Sequence, residues 1–362
     1  MFNFQLTNFQ FRGAPVIDVG ILGATGLVGQ HIAARLEGHP WFRVVWVGAS
    51  ERSAGRRYGD VPWRIDAPRP EAAARLRLER ARPGALPPLL FSALPAAAAD
   101  ALEPALAGRG HVVISNARSH RMRDDVPLVV PEINPEQLAL IARQPWPGAI
   151  VTNPNCAAVV IALALAPIAR FGIGAVAVST LQALSGAGYP GVASLDALAN
   201  VLPFIDGEEE KIETETCRIL GRRFPISAQA TRVPVAHGHM ALVSMRLEAR
   251  ADADDLREAW ASFRGSPVVR GLPGAPARPV VVNRDGDRPQ PRLDALQGGG
   301  MTVTIGRPRR CAVLGWRFAA LGHNLIRGAA GAAILNAELC VAAGVVGASG
   351  ERARAGAGDI VA

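Results

Sequence analysis

The sequence predicts an α/β fold in which a Rossmann-type nucleotide-binding domain precedes a second, α+β domain with a mixed sheet. Three observations predict it. A strand-turn-helix unit carries glycines at Gly23, Gly26 and Gly29. Short apolar segments alternate with Ala/Leu-rich helical stretches up to about residue 150, the rhythm of a parallel sheet covered by helices. From Asn153 onwards longer, alternating segments suggest a more antiparallel sheet.

The chain has 362 residues, 49% hydrophobic and 19% charged, enough for two domains that each bury a core. No apolar run approaches the roughly 20 residues of a membrane span, so no membrane partner is expected. The segment before Val16 spreads Phe2, Phe4, Phe9 and Phe11 among polar residues without a basic start, unlike a secretory signal. Cys156, Cys217, Cys311 and Cys340 form no CxxC pair, which points to a reducing compartment and a cytoplasmic location. The net charge of +8 comes from arginines scattered singly or in pairs, so a solvated surface is expected and no nucleic acid. Lys211 is the only lysine.

In chain order, residues 16–22 read as a buried strand, the glycine turn opens a helix through Leu36, and residues 44–47 form a second strand. Further strands are expected at 89–92, 111–115 and 149–152. A helix from Ala157 towards Arg170 is strained or ended near Pro167, followed by a strand at 175–183 and a Gly-rich turn at 185–191. Segments 241–247 and 301–305 belong to the second sheet, and 271–291, rich in Pro, Gly and Arg, reads as an exposed excursion. A helix over 329–342 lies near the end, and the tail from Gly347 has little to bury.

A pyrophosphate needs backbone N–H donors and room for close approach. Gly23, Thr25, Gly26, Leu27 and Val28, at the opening of a helix, offer both, although a plain tight turn would use the same glycines. Ser50, Arg52 and Ser53 supply two hydroxyls and a guanidinium where an NAD site relies on an acidic residue, which favours the 2′-phosphate of NADP; Glu51 dissents. Asn153-Pro154-Asn155-Cys156 places a thiol at a helix N-terminus, where free N–H groups would stabilise a thiolate or an oxyanion, though a lone cysteine also suits a core. Arg232, His237 and His239 supply a cation and two bases. In an extended segment Arg232 and His239 would face opposite sides, so one pocket requires a bend near Pro234 or Gly238. A His-x-His pair without further ligands at suitable spacing leaves metal at none. Glu208-Glu209-Glu210-Lys211-Ile212-Glu213 is either a solvated helix face or, given its solitary compact ammonium, an anion site.

Together these segments resemble the aspartate-semialdehyde dehydrogenase family, in particular its archaeal and fungal branch. The matching stretches are residues 23–29, 50–55, Ser115-Asn116-Ala117, Pro131-Glu132-Ile133-Asn134, 153–156, 181–191, 207–220, 232–239 and 322–338, nearly the whole chain in the family's order. Ala157 and Ala158 stand where many relatives place a hydroxyl residue. The resemblance implies an NADP-binding domain over 16–152 joined by a C-terminal helix at about 325–346, a catalytic and dimerisation domain over 153–324, and flexible ends at 1–15 and 347–362. It implies Cys156 as nucleophile, His239 as acid/base and Gln182 as an orienting residue. Arg232 would clamp the substrate's α-carboxylate with Glu208 near its amino group, and Arg121 and Lys211 would hold phosphate. Asn116, Gly186 and Asn324 would lie near cofactor and active site, with His237 behind them.

The implied reaction is NADPH-dependent reductive dephosphorylation of L-aspartyl 4-phosphate to L-aspartate 4-semialdehyde through a Cys156 thioester. Its implied setting is lysine, threonine and methionine biosynthesis, in a homodimer or homotetramer. The alternatives are a related acyl-phosphate or acyl-CoA reductase, such as one acting on N-acetyl-γ-glutamyl phosphate, or a silent relative kept as an interaction protein.

Overall fold

A computed structural model describes residues 16–81 and 86–347, so the expectations for the leader and for the tail beyond Gly347 fall outside the described residues. Strands β1 (Ile17–Leu22), β2 (Phe42–Gly48), β3 (Leu78–Glu79), β4 (Leu89–Ser92), β5 (Val112–Ser115) and β6 (Ala149–Thr152) form one parallel sheet in the order β3-β2-β1-β4-β5-β6. The strands are short apolar runs because helices cover both faces, leaving no polar side to alternate with. The order reverses between β1 and β4, the switch point beyond whose C-terminal ends such sheets take ligands.

The second sheet contains β7 (Ile173–Gln182), β8 (Ile226–Arg232), β9 (His239–Leu247), β10 (Val280–Asn283), β11 (Val303–Cys311) and β12 (Gly315–Gly322), in the order β10-β11-β12-β9-β7-β8. It is mixed: β7 and β8 pair in parallel, as do β10 and β11, and the other neighbours are antiparallel. Its inner face packs on the helix Cys156–Leu165, with Val176, Val243, Met245 and Phe318 among the buried residues. Trp260, from the helix Ala253–Ser262, closes the layer by donating Nε1–H to the Ala164 carbonyl at 2.8 Å.

The helix Gly331–Ala342 returns to the first sheet, burying Ala333, Ile334 and Ala337 in the core that holds Ile17 and Phe91. It is entered through a π-helical turn, Ile326–Ala330. The buried Arg327 of that turn makes a two-pronged ion pair with Glu132 at 2.6 and 2.9 Å, which fixes the turn between the sheets.

Segment 271–291 departs from the exposed excursion its composition suggested. Leu272 and Val280 are buried, β10 extends the second sheet, and the Gly274 amide donates to the Glu338 carboxylate at 2.9 Å. The β-branched run Val280-Val281-Val282 pairs with β11, and that local preference outweighs the surrounding prolines and arginines.

Candidate active site

The crevice beyond β1 is shaped by backbone. Gly23 adopts φ +72°, and a Cβ there would lie 2.6 Å from the Ala93 carbonyl, so only glycine serves. Gly29 lies against the Gly23 backbone and lets the helix Leu27–Arg35 approach the strand. Gly26, where a Cβ would meet only the Gly23 carbonyl at 3.6 Å, caps that helix without a side-chain bond, leaving first-turn amides free as a pyrophosphate requires. These residues fit a dinucleotide. At the end of β2, the Ser53 amide donates to the Ser50 carbonyl at 3.0 Å, Arg52 is exposed, and Glu51 pairs with Arg80. That pairing neutralises the carboxylate which spoke against a 2′-phosphate.

Cys156 opens its helix directly behind Asn155. The Asn155 Oδ1 accepts from the amides of Ala157 and Ala158 at 2.8 and 3.0 Å. Its own amide donates to Glu215 at 2.5 Å and its Nδ2 to Glu208 at 2.7 Å. The expectation of a row of free N–H groups beside the thiol is therefore corrected, because the cap residue takes two of them. Among the described residues, the Cys156 amide is the first-turn donor left for an oxyanion. Ala157 and Ala158 need no hydroxyl for capping, since the Asn155 amide does it.

Both carboxylates come from the helix Glu208–Leu220, seven residues apart and so on one face two turns along. Glu208 accepts from Lys211 at 2.5 Å and from Gln182 at 3.2 Å. Glu215 accepts from Arg121 Nη1 at 3.0 Å, and Arg121 Nη2 donates to the Asn116 carbonyl at 2.7 Å. Asn116 in turn accepts from Asn153 and donates to the Ser92 carbonyl, both at 2.9 Å. The two cations expected at a phosphate site thus lie in ion pairs on the same helix, Arg121 buried and Lys211 partly exposed.

Sheet order brings Arg232 and His239 together. β8 and β9 flank β7 on opposite sides, so Gln182 at the end of β7 pairs with Arg232 while Leu181 pairs with Met240. The chain crosses over through 233–238, with Gly238 at φ +96° supplying the bend the spacing required. A Cβ on Gly186 would lie 2.7 Å from Arg232 Nη1 and 2.9 Å from His239 Cε1, so both side chains border that glycine. Asn324 ties the loops: its Oδ1 accepts from the Gly238 amide and its Nδ2 donates to Ser185 Oγ, both at 2.9 Å.

Burial sets the charge states. It pushes the Cys156 thiol up to about 12, with the Glu208 carboxylate adding to the rise and Arg121, Lys211 and Arg232 opposing it. As a residue Cys156 is only partly buried. Burial lowers His239 to about 3. Its Nδ1 accepts from the Ala183 amide at 3.1 Å, so the neutral ring carries its proton on Nε2, which has no partner among the described residues. Burial opposes ionisation of Glu208, yet Lys211 and hydrogen bonds from Asn155 and Gln182 hold its carboxyl below the usual range.

Three contributors were not anticipated. Glu215 continues the face of Glu208 and Lys211, and its heptad spacing from Glu208 was the available signal. Ser185 joins Asn324 and His237, whose Nδ1 lies 3.1 Å from its Oγ. Gly328 sits on Cys156, whose Cβ a Cβ at this position would approach within 2.5 Å. No local pattern announces that approach.

Two family models match: the semialdehyde dehydrogenase NAD binding domain over residues 18–141 and the semialdehyde dehydrogenase dimerisation domain over 165–327. An aspartate-semialdehyde dehydrogenase from Methanothermobacter thermautotrophicus is 48% identical, the match covering 90% of this chain and 99% of that protein. A malonyl CoA reductase (NADP) from Metallosphaera sedula is 36% identical, over 91% of this chain and 98% of its own. The crystal structure of aspartate semialdehyde dehydrogenase with NADP from Candida albicans aligns with a TM-score of 0.83 at 35% identity, covering 91% of this chain and 100% of that chain.

Proposed function

The chain belongs to the aspartate-semialdehyde dehydrogenase family, and from that premise we propose that it reduces L-aspartyl 4-phosphate to L-aspartate 4-semialdehyde with NADPH, releasing phosphate, through a thioester on Cys156. The observation that carries this reading is the charge layout around the thiol, with Arg121, Lys211 and Arg232 offsetting Glu208 while Glu215 pairs with Arg121. Arg232 suits the α-carboxylate, Glu208 the ammonium, and Lys211 with Arg121 the phosphate. A malonyl thioester would offer Arg232 its carboxylate but give Glu208 no cation.

Cys156 Sγ attacks the acyl carbon, the carbon–oxygen bond to phosphate breaks, and the thiol proton leaves with the departing phosphate. The Cys156 amide and the His239 Nε2–H are the donors available to the acyl oxygen. NADPH, when bound in the glycine crevice, supplies the hydride. As the carbon–sulfur bond then breaks, Cys156 leaves as thiolate, its charge offset by Arg232, Lys211 and Arg121. Gln182 holds Glu208 in place, and Gly186 keeps the space between Arg232 and His239 open.

The reading places 16–152 with the helix at 325–346 in the cofactor domain and 153–324 in the catalytic and dimerisation domain. It makes the enzyme a cytoplasmic homodimer or homotetramer serving lysine, threonine and methionine synthesis. The test is reduction of NADP by L-aspartate 4-semialdehyde with phosphate, run beside malonate semialdehyde with coenzyme A. Turnover that requires phosphate and the aspartate compound supports the proposal; turnover only with coenzyme A overturns it.

A further inference from the structure

A cleft of about 790 Å³ opens between the helix Leu27–Arg35, the loop joining β8 to β9, and residues 290–296, and none of the residues assigned to the reaction lines it. That volume lies within the roughly 300–1,000 Å³ of small-molecule sites. Three imidazoles form one part of its wall. His237 and His323 stack with centroids 5.3 Å apart, and His31 meets His323 edge-on at 6.1 Å. His31 is only 8% exposed, and its buried Nε2 has no partner among the described residues. Burial, then the neighbouring His237, lowers His31 to about 4 and His323 to about 3, so both rings are neutral near pH 7. Arg35 and Arg292 face the same space against one carboxylate, Asp66, while Leu296 and Pro291 give it an apolar side.

The wall is tied to the catalytic loop. His237 Nδ1 lies 3.1 Å from Ser185 Oγ, Ser185 Oγ accepts from Asn324, and Asn324 accepts from the Gly238 amide, next to His239.

We propose that this cleft is a second ligand site, for an organic anion with an apolar body, whose head meets Arg35 and Arg292, whose body lies along the imidazoles, Pro291 and Leu296, and whose occupant acts on His239 through Ser185 and Asn324. Binding there does not depend on which acyl substrate the thiol takes. The probe is 8-anilinonaphthalene-1-sulfonate, which has this chemistry, titrated by fluorescence into the full chain with NADP saturating. The proposal expects saturable binding that persists with NADP, weakens about tenfold or more in Arg292→Glu and in Leu296→Asp as lost charge pairing or apolar contact dictates, and lowers kcat without raising the KM for NADP. The variants' unchanged NADP affinity verifies their folding. Loss of the signal on adding NADP, equal affinity in both variants, or no binding to the NADP-saturated chain overturns it.

Discussion

At the nucleotide crevice recognition rests on backbone: Gly23, Gly26 and Gly29 lie within one turn and its following helix, and each acts by lacking a side chain. Around Cys156 it rests on side chains from distant segments, with Arg121 bonded to Glu215, Gln182 to Glu208, and Arg232 and His239 to the Ala183 backbone. The difference teaches where each region is fragile. A backbone cradle fails when bulk is added, whereas a buried charged network fails when one member is removed and its partner is left unpaired.

The largest expected effect tests the network. Glu215→Ala leaves Arg121 buried without its carboxylate and should cost about 3–5 kcal/mol in urea unfolding; a loss below about 1 kcal/mol would mean that solvent reaches the pair. Gly186→Ala sharpens the boundary between the regions, because the glycine borders Arg232 and His239 yet was also a candidate for cofactor contact. The account expects kcat to fall about 10²-fold, as displaced reacting groups do, with NADP affinity little changed. A loss confined to NADP binding would assign Gly186 to the crevice instead.

Charge around the thiol gives the next test. With the thiol at about 12, its thiolate fraction grows with pH across the neutral range, so alkylation of Cys156 by iodoacetamide should rise about tenfold per unit from pH 7 to 9. Glu208→Gln removes a charge that raises the thiol and should speed the reaction at pH 7. A plateau below pH 9, followed on the Cys156 peptide, contradicts this electrostatic picture. The smallest effect lies in the crevice: Arg52→Ala should weaken NADPH about tenfold more than NADH, the size of a lost charged hydrogen bond. Equal losses would remove Arg52 from the 2′-phosphate.

The same contrast governs what could be read in advance. The strands of the first sheet announce themselves as apolar runs, and its phosphate cradle as glycine spacing. In the second sheet, β8 (Ile226–Arg232) mixes polar and apolar residues at the sheet edge, and β10 hides among prolines and arginines. Residue type and position single out Cys156, Arg232 and His239, whereas Gln182 and the role of each come through resemblance, and the clash of facing between Arg232 and His239 has no local answer. The answer is the order β9-β7-β8, a property of the whole sheet. Glu215 stood just beyond the charged run that drew attention, and Gly328 meets Cys156 only because the C-terminal turn folds back over it.

In the proposed reaction Cys156 carries the acyl group between hydride transfer and phosphate. The chain is mixed with L-aspartate 4-semialdehyde and NADP in the absence of phosphate, and both reduced cofactor and the protein's mass are followed. The account predicts a burst of about one equivalent of NADPH, an aspartyl group on the Cys156 peptide, its release when phosphate is added, and neither event in Cys156→Ala. Sustained turnover without phosphate, or an acyl group on any other residue, would contradict it.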